Sequence, residues 1–189
     1  MKQSVPTRHR SGVAPTSQRL FASPLDFISE DHLRERQICA VIDDLAIATS
    51  PDRQAVMTVL RFLNEELNVH QRDEAEDLFP LLVRRCSEEE SIERTINRIR
   101  ADQVGAIRLL PQVLVTLADY LDTGADLTAE DRTTLTEFAG HMRSHLVAAH
   151  AILLPIARSR LTRADLRMLS EHMRLRRGLP PIQETTNAE

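Results

Sequence analysis

Apolar side chains recur along most of this chain at spacings of three, four and seven residues, the period of an α-helix buried on one side. Four long stretches carry this pattern: residues 24–48, 53–85, 91–121 and 128–158. The inward stripe of the first stretch contains Leu25, Ile28, His32 and Cys39. No stretch alternates apolar and polar positions with a period of two, so the pattern predicts helices and no β-strand.

Turn and capping residues separate the four stretches. Residues 49–52 (Thr-Ser-Pro-Asp) and 123–126 (Thr-Gly-Ala-Asp) are turn signals. Thr128, followed three residues later by Asp131, resembles a capping box at the start of the fourth helix. Pro80 lies inside the second stretch and is expected to kink or end that helix, because proline cannot donate a backbone hydrogen bond.

These patterns predict an all-α protein: an up-down-up-down antiparallel four-helix bundle with a short C-terminal fifth helix. Short connections make each helix antiparallel to the next. We divide the chain into a flexible N-terminal tail (1–23), the bundle (24–160), the short helix (161–178) and a second tail (179–189). Thr162 caps the short helix, and Gly178, followed by two prolines, ends it.

Composition excludes several classes of protein. The net charge of −4 argues against nucleic acid as a main partner, because phosphate binding needs a basic surface. No apolar run approaches the roughly 20 residues that span a bilayer, and the polar N-terminus lacks the pattern of a secretory signal. Two cysteines, Cys39 and Cys86, are too few for a disulfide framework. We therefore expect a cytoplasmic protein with reduced thiols and no membrane partner.

Three of the seven histidines lie on the inward stripes of three different helices: His32, His70 and His145. Glu74 follows His70 by four residues, so both side chains point the same way, one turn apart. Imidazole suits iron, zinc, copper or nickel, and a carboxylate bridges hard cations. For each residue alone, the alternative is a hydrogen-bonded core histidine or a salt bridge from Glu74 to another helix. Histidines converging from three helices favour a metal site in the core.

Four further residues qualify this hypothesis. His141 precedes His145 by four residues, the same relation as His70 and Glu74. His150 follows His145 by five residues, so these two rings converge only if the helix is locally distorted or the side chains reach across. His172 lies on a polar face and is expected to be solvated. Gln103 is an inward residue of the third helix, where its amide either bonds across the core or takes the place of a ligand. Glutamine binds iron poorly, so Gln103 weakens the metal hypothesis.

The segment Asp31-His32 and residues 70–80 (His-Gln-Arg-Asp-Glu-Ala-Glu-Asp-Leu-Phe-Pro) resemble the hemerythrin-like (HHE cation-binding) proteins. The similarity covers about residues 24–160, and His-x-x-x-Glu before Leu-Phe-Pro is fairly specific. The resemblance implies a four-helix bundle with a non-haem di-iron centre. It also implies binding of oxygen, or a part in sensing or handling oxygen, nitric oxide, peroxide or iron.

The resemblance places metal ligands at His32, His70, Glu74 and His145, with His150 standing in for an aspartate. Three positions depart from the family pattern. Gln103 stands where many members have a histidine, and Ala149 where a glutamate often completes a second His-x-x-x-Glu. Ala75 replaces the second acid of a Glu-Glu pair. Because Glu74 is then left alone to bridge two irons, we expect an altered site that holds one iron or none.

The resemblance thus implies a non-haem iron protein that binds or senses a small diatomic ligand, peroxide or iron through an incomplete di-iron site. The alternative is a metal-free regulatory or interaction module built on the same bundle. A histidine phosphotransfer bundle is a third class, for which His141-Met142-Arg143 would supply an exposed histidine, but the inward histidines speak against it. No nucleophile–base pair, phosphate loop or dinucleotide fingerprint appears, so the sequence assigns no enzymatic activity and no protein partner.

Overall fold

A computed structural model of the chain describes residues 14–180, and within that range all regular structure is helical. Residues 1–13 and 181–189, which belong to the two predicted tails, lie outside it. The four long helices are α1 (Pro24–Ile47), α2 (Arg53–Glu65, Leu67–Arg72, Asp73–Leu78 and Phe79–Arg85 in succession), α3 (Ile92–Thr123) and α4 (Ala129–Ala148, Ala149–Leu153 and Leu154–Arg160). The shorter α5 (Arg163–Arg176) follows. The predicted all-α fold with a short last helix is confirmed.

Local sequence signals set the ends of these helices. Asp52 accepts a hydrogen bond from the backbone N–H of Gln54 at the start of α2. The predicted capping box of α4 is confirmed, since Thr128 Oγ1 accepts from the N–H of Asp131 and the Asp131 carboxylate accepts from the N–H of Thr128. α3 ends at Thr123 and is capped by Gly124, whose φ of 69° is a left-handed conformation that glycine adopts without strain.

Two of the long helices contain a π-helical turn close to a proline: Asp73–Leu78 in α2 and Ala149–Leu153 in α4. Pro80 and Pro155 lack the N–H that would bond the carbonyl four residues earlier, and the proline ring crowds that carbonyl. A π-turn is wider by about one residue, which lets a helix continue past such a position. The sequence left open whether Pro80 kinks the helix or ends it. α2 runs on to Arg85, so the helix does not end at Pro80.

Two apolar clusters fill the core, one on either side of a polar layer. Cluster A includes Ile38, Val59, Leu67, Ala106 and Met142. Cluster B includes Ile28, Leu78, Ile99, Ala149 and Leu153. Along α1 and α3 the chain passes from cluster B to cluster A, and along α2 and α4 it passes from A to B. This alternation means that all four helices cross the layer between the clusters.

The segment directly before α1 is folded, which corrects the predicted tail for residues 14–23. Gln18–Ala22 forms a short 3-10 helix. Phe21 in this helix is only 1% exposed and stacks on Phe27, with 4.3 Å between the ring centroids. Burying a phenylalanine contributes on the order of 2 kcal/mol, which holds the segment against the bundle.

α5 packs over the π-turn of α2 through opposite charges. Arg176 donates to Asp73 at 2.8 Å and also pairs with Asp77. His172, which was expected to be solvated, is partly exposed, and its Nδ1 lies within hydrogen-bond distance of the Asp77 carboxylate, at 2.6 Å. Met173 of α5 is fully buried in cluster B. The short fifth helix therefore shares the core of the bundle.

The first turn of α5 depends on Asp165, which is 3% exposed. Its carboxylate accepts hydrogen bonds from the N–H of Thr162 at 2.9 Å, from Arg85 at 2.8 Å and from Arg84 at 2.7 Å. The hydrogen bond from Arg85 is the main reason that the pKa of Asp165 lies well below its ordinary value of 3.8. Asp165 thus joins the helix cap to the end of α2.

We expect Asp165→Asn to lower the free energy of unfolding by about 1–3 kcal/mol at pH 7, since it weakens a cap and two charge-assisted hydrogen bonds. The pKa is lower in the folded state, so this stabilisation is present above the unfolded pKa and is lost as the pH falls. Urea unfolding at pH 7 and in acid measures both effects. Glu171→Gln, at an exposed position of α5, is the control. Equal stability of Asp165→Asn and wild type at pH 7 would contradict this role.

Both cysteines are free thiols, as predicted. Cys39 packs in cluster A, where burial raises the pKa of its thiol to about 12. The thiol of Cys86, which follows α2, also has a pKa raised by burial. Only a thiolate acts as a nucleophile or metal ligand, so neither thiol is activated at neutral pH.

α3 is long and apolar enough to cross a membrane by length and composition alone, which the sequence analysis did not anticipate. No other helix within residues 14–180 meets that criterion. The criterion is weak evidence for a membrane span, because the core helix of a soluble protein also meets it. The inner face of α3 contributes the fully buried Ile96, Ile99 and Val113 to the two clusters. Only 22% of the apolar window of α3 is buried, and Val104, Ile107 and Val115 are exposed, so the bundle core accounts for only part of its apolar character.

Candidate metal centre

The layer between clusters A and B is formed by polar side chains from all four long helices. α1 contributes His32 and Glu35, α2 contributes His70 and Glu74, α3 contributes Gln103, and α4 contributes His145. None of the six is more than 6% exposed. Ionisable side chains are rarely buried to this degree unless they are paired, neutralised by a change of protonation, or bound to a cation. The layer is therefore the candidate site of the molecule.

Four of these side chains converge closely. His32, His70, Glu74 and His145 each present one nitrogen or oxygen, and the four atoms lie within 4.8 Å of one another. Ligands around one ion, with bonds of about 2.0–2.2 Å, lie at most about 4.4 Å apart. The group is therefore close to the spacing that a bound cation needs. These are four of the five ligand positions predicted from the sequence.

Glu74 lies between two histidines and the glutamine. Its Oε1 is 3.1 Å from His32 Nε2, its Oε2 is 3.8 Å from His70 Nε2, and Oε2 also accepts a hydrogen bond from Gln103 Nε2 at 2.7 Å. Burial alone would raise the pKa of Glu74, but the His32 hydrogen bond and the charge of His70 lower it to about 2. Glu74 is therefore a carboxylate at neutral pH, and the Gln103 amide takes the across-core role that the sequence left open.

Glu35 is a residue of the site that the sequence analysis missed. Its Oε1 lies 3.2 Å from His70 Nε2 and its Oε2 lies 3.7 Å from His145 Nε2, and neither oxygen makes a hydrogen bond. Burial raises the pKa of Glu35 to about 8. The sequence did contain a signal for Glu35, because this residue follows His32 by three positions on the inward stripe that continues to Cys39.

His70 is oriented by residues outside the layer. Its Nδ1 hydrogen-bonds Asp31 Oδ2 at 3.0 Å, and Thr16 donates to the other oxygen of Asp31 at 2.7 Å. This contact directs Nε2 of His70 toward Glu35 and Glu74. A carboxylate on the far nitrogen of a histidine is the usual partner of a metal-ligating imidazole, because it fixes the ring and raises its basicity.

The π-turn of α4 explains the relation between His145 and His150. The sequence left two ways for histidines five residues apart to converge, a local distortion or side chains that reach across, and Ala149–Leu153 is such a distortion. Both rings lie near His32, with centroid separations of 6.0 Å for His145 and 5.4 Å for His150. His145 lies inside the four-residue group, whereas the partly buried His150 lies at its edge.

The remaining candidate positions lie away from the layer. The His141 ring is half-exposed, covers Gly105 of α3 and lies 3.9 Å from Asp102. It is therefore outside the site. Ala149 is fully buried in cluster B, and Ala75 is exposed, so neither departure from the HHE pattern places another polar group in the layer.

Comparison with known families identifies the chain. The family model described as the hemerythrin HHE cation binding domain matches residues 23–157, which includes the whole polar layer. The chain belongs to the hemerythrin HHE family. The resemblance seen in Asp31-His32 and in residues 70–80 is thereby confirmed. A comparison with curated proteins gives no match.

The donors of this hemerythrin HHE domain fit a cation. Within residues 14–180, seven buried side-chain nitrogen and oxygen atoms at the site make no hydrogen bond; they belong to His32, Glu35, His70, His145 and His150. A buried polar atom without a partner costs roughly 1–3 kcal/mol, so a cluster of them needs a physical reason. Imidazole nitrogens and carboxylate oxygens are ligands for iron and zinc. A divalent metal in the layer would give a partner to the Glu35 oxygens and to at most one nitrogen of each imidazole.

Two histidines of the hemerythrin site are in the state that a metal needs, and one is not. Burial lowers the pKa of His145 to about 4 and also lowers the pKa of His32, so both imidazoles are neutral at pH 7. Burial would likewise lower the pKa of His70, but the charges of Glu35, Asp31 and Glu74 raise it well above its ordinary value. A metal must therefore displace a proton from His70.

Proposed function

We propose that this hemerythrin HHE domain binds non-haem iron through His32, His70, Glu74 and His145, with His150 at the edge of the site. The observation that carries the proposal is the cluster of four buried donor atoms within 4.8 Å, set among polar atoms that make no hydrogen bond. Iron is the metal typical of the family. Bound iron would supply an open coordination position for a small ligand such as oxygen, nitric oxide or peroxide.

The protein contributes position, charge and exclusion of water. Asp31 holds the ring of His70, and the Gln103 amide holds Oε2 of Glu74. The carboxylate of Glu74 offsets part of the charge of a cation. Clusters A and B close the layer on either side, so charges inside it interact in a low dielectric.

The proposal predicts that iron is a stabilising ligand of the whole chain. Chelator-treated protein is reloaded with Fe(II) without oxygen, and metal content, optical spectrum and thermal unfolding are then measured, with and without oxygen or nitric oxide. We expect at least one iron per chain and a spectral change with the small ligand. Free metal at 100 times its Kd should raise the unfolding midpoint by roughly 5–10 °C, since such binding adds about 2.7 kcal/mol.

A metal-free interaction module is the competing function. It is supported if reloaded protein holds well under one iron per chain and chelator leaves the unfolding midpoint unchanged. The proposal would then be wrong, because a buried ligand set that binds metal must couple to folding.

A further inference from the structure

The environment of Glu35 carries an inference beyond the four-residue cluster. Glu35 is fully buried on α1, one turn after His32, and both of its oxygens lack a hydrogen bond. The guanidinium of the neighbouring Arg34 donates to Glu66 at 2.7 Å. A carboxyl group placed in a core in this way is costly unless something binds it.

The two buried carboxylates each lie between two different histidines. Glu74 has Oε1 at 3.1 Å from His32 and Oε2 at 3.8 Å from His70. Glu35 has Oε1 at 3.2 Å from His70 and Oε2 at 3.7 Å from His145. Each of the four oxygens therefore faces the Nε2 of one histidine. A carboxylate whose two oxygens face two separate sets of donors is arranged to bridge two cations.

This arrangement divides the donors into two groups. His70 faces one oxygen of each carboxylate, Oε1 of Glu35 and Oε2 of Glu74. The other two oxygens face His32 and His145, and His150 lies on that side, with its ring 5.4 Å from the ring of His32. The first group thus consists of the His70 imidazole and one oxygen from each carboxylate. The second consists of the imidazoles of His32 and His145 and the other two oxygens, with the His150 imidazole at its edge.

We propose that Glu35 is the second bridging carboxylate of this site and that the domain therefore holds two metal ions. The proposal rests on the proposed function, since it requires that the layer binds metal at all. It replaces the expectation from sequence of one iron or none, which followed from treating Glu74 as the single bridge. α1 thus supplies both a histidine ligand and a bridging carboxylate, three residues apart.

The test is metal stoichiometry in wild type and in Glu35→Gln, which keeps the shape of the side chain and removes its charge. Chelator-treated chains are dialysed to equilibrium against Mn(II) without oxygen, bound metal is counted, and the magnetic resonance spectrum is recorded. We expect two ions per wild-type chain with the spectrum of a coupled pair, and one uncoupled ion or none in Glu35→Gln. Glu30→Gln, at an exposed position of the same helix, should keep two.

The possible results separate the two proposals. Two coupled ions in Glu35→Gln, or one ion in wild type, would overturn the role of Glu35 and leave metal binding in place. No ion in wild type would overturn the proposed function as well. If Glu35→Gln does not fold, Glu35→Asp keeps the carboxylate but shortens it. That variant should weaken the second ion by more than the roughly 10–100-fold cost of losing an outer-shell partner, and unchanged affinity would count against the bridge.

Discussion

His70→Ala should abolish metal binding, with a loss of affinity above about 100-fold. His70 Nε2 faces both carboxylates of the site, at 3.2 Å from Glu35 and 3.8 Å from Glu74, so no other histidine takes its place. Losing an outer-shell partner already costs roughly 10–100-fold, and losing the ligand itself should cost more. Metal content after Fe(II) reconstitution measures the effect.

His141→Ala is the matched control, because His141 is a helical histidine whose half-exposed ring lies outside the layer. It should keep the metal content of wild type. Equal metal content in His70→Ala and wild type would make the site assignment wrong.

Folding must be separated from binding in this experiment. Removing His70 takes away the imidazole that pairs with the buried Asp31, and breaking such a pair costs about 3–5 kcal/mol. Asp31→Asn is the milder variant, because it keeps the ligand and removes only the carboxylate that orients it. We expect it to bind metal roughly 10–100-fold more weakly, and unchanged affinity would show that Asp31 does not orient a ligand.

Metal affinity should rise with pH, by about 10- to 100-fold per pH unit from pH 6 to 7.5. The pKa of Glu35 is raised to about 8, and the pKa of His70 lies well above its ordinary value. The two groups lie 3.2 Å apart and titrate together, because the charge of Glu35 is one cause of the raised pKa of His70, so a metal would displace about one to two protons from the pair. Each displaced proton contributes about a tenfold change in apparent affinity per pH unit.

The direction of this pH dependence follows from which groups are protonated before the metal binds. Glu74, with a pKa of about 2, and His145, with a pKa of about 4, are already deprotonated and release nothing. The rise should flatten above about pH 8, where Glu35 no longer carries its proton. Affinity therefore falls as the pH decreases, because protons compete at Glu35 and His70.

Titration calorimetry with Co(II), in two buffers of different ionisation enthalpy, counts the protons released. Wild type should release about one to two protons per site at pH 7, and Glu35→Gln fewer, since the charge of Glu35 also raises the pKa of His70. A release near zero would show that the protonated groups do not contact the metal. Glu30→Gln again serves as the control, since its exposed side chain lies outside the layer.

Much of the fold was predictable because helices form from local signals. The apolar period, the turn at residues 49–52 and the capping box from Thr128 to Asp131 all act within a few residues of chain. They gave the all-α fold and helix ends close to those observed. The position of Phe21 was not predictable in this way, since it depends on stacking against Phe27 and packing with the bundle.

The docking of α5 also lay beyond local reasoning. Its sequence predicts a short capped helix, but the pairing of Arg176 with Asp73 and Asp77 joins positions about 100 residues apart. The hydrogen-bond contact between the partly exposed His172 and Asp77 likewise joins distant positions. Local patterns do not say which partner a charged side chain will meet.

The sequence by itself determined the helices, the family and the inward faces that carry His32, His70, Glu74 and His145. A helical stripe shows which side of a helix is buried, but it does not show which residues of different helices lie at the same height in the bundle. Only the tertiary structure shows which residues of the different helices lie at the same height. It brought Glu35 against His70 and His145, placed the Gln103 amide on Glu74, and left His141 outside. Those positions depend on contacts between helices, and no single segment of the sequence contains them.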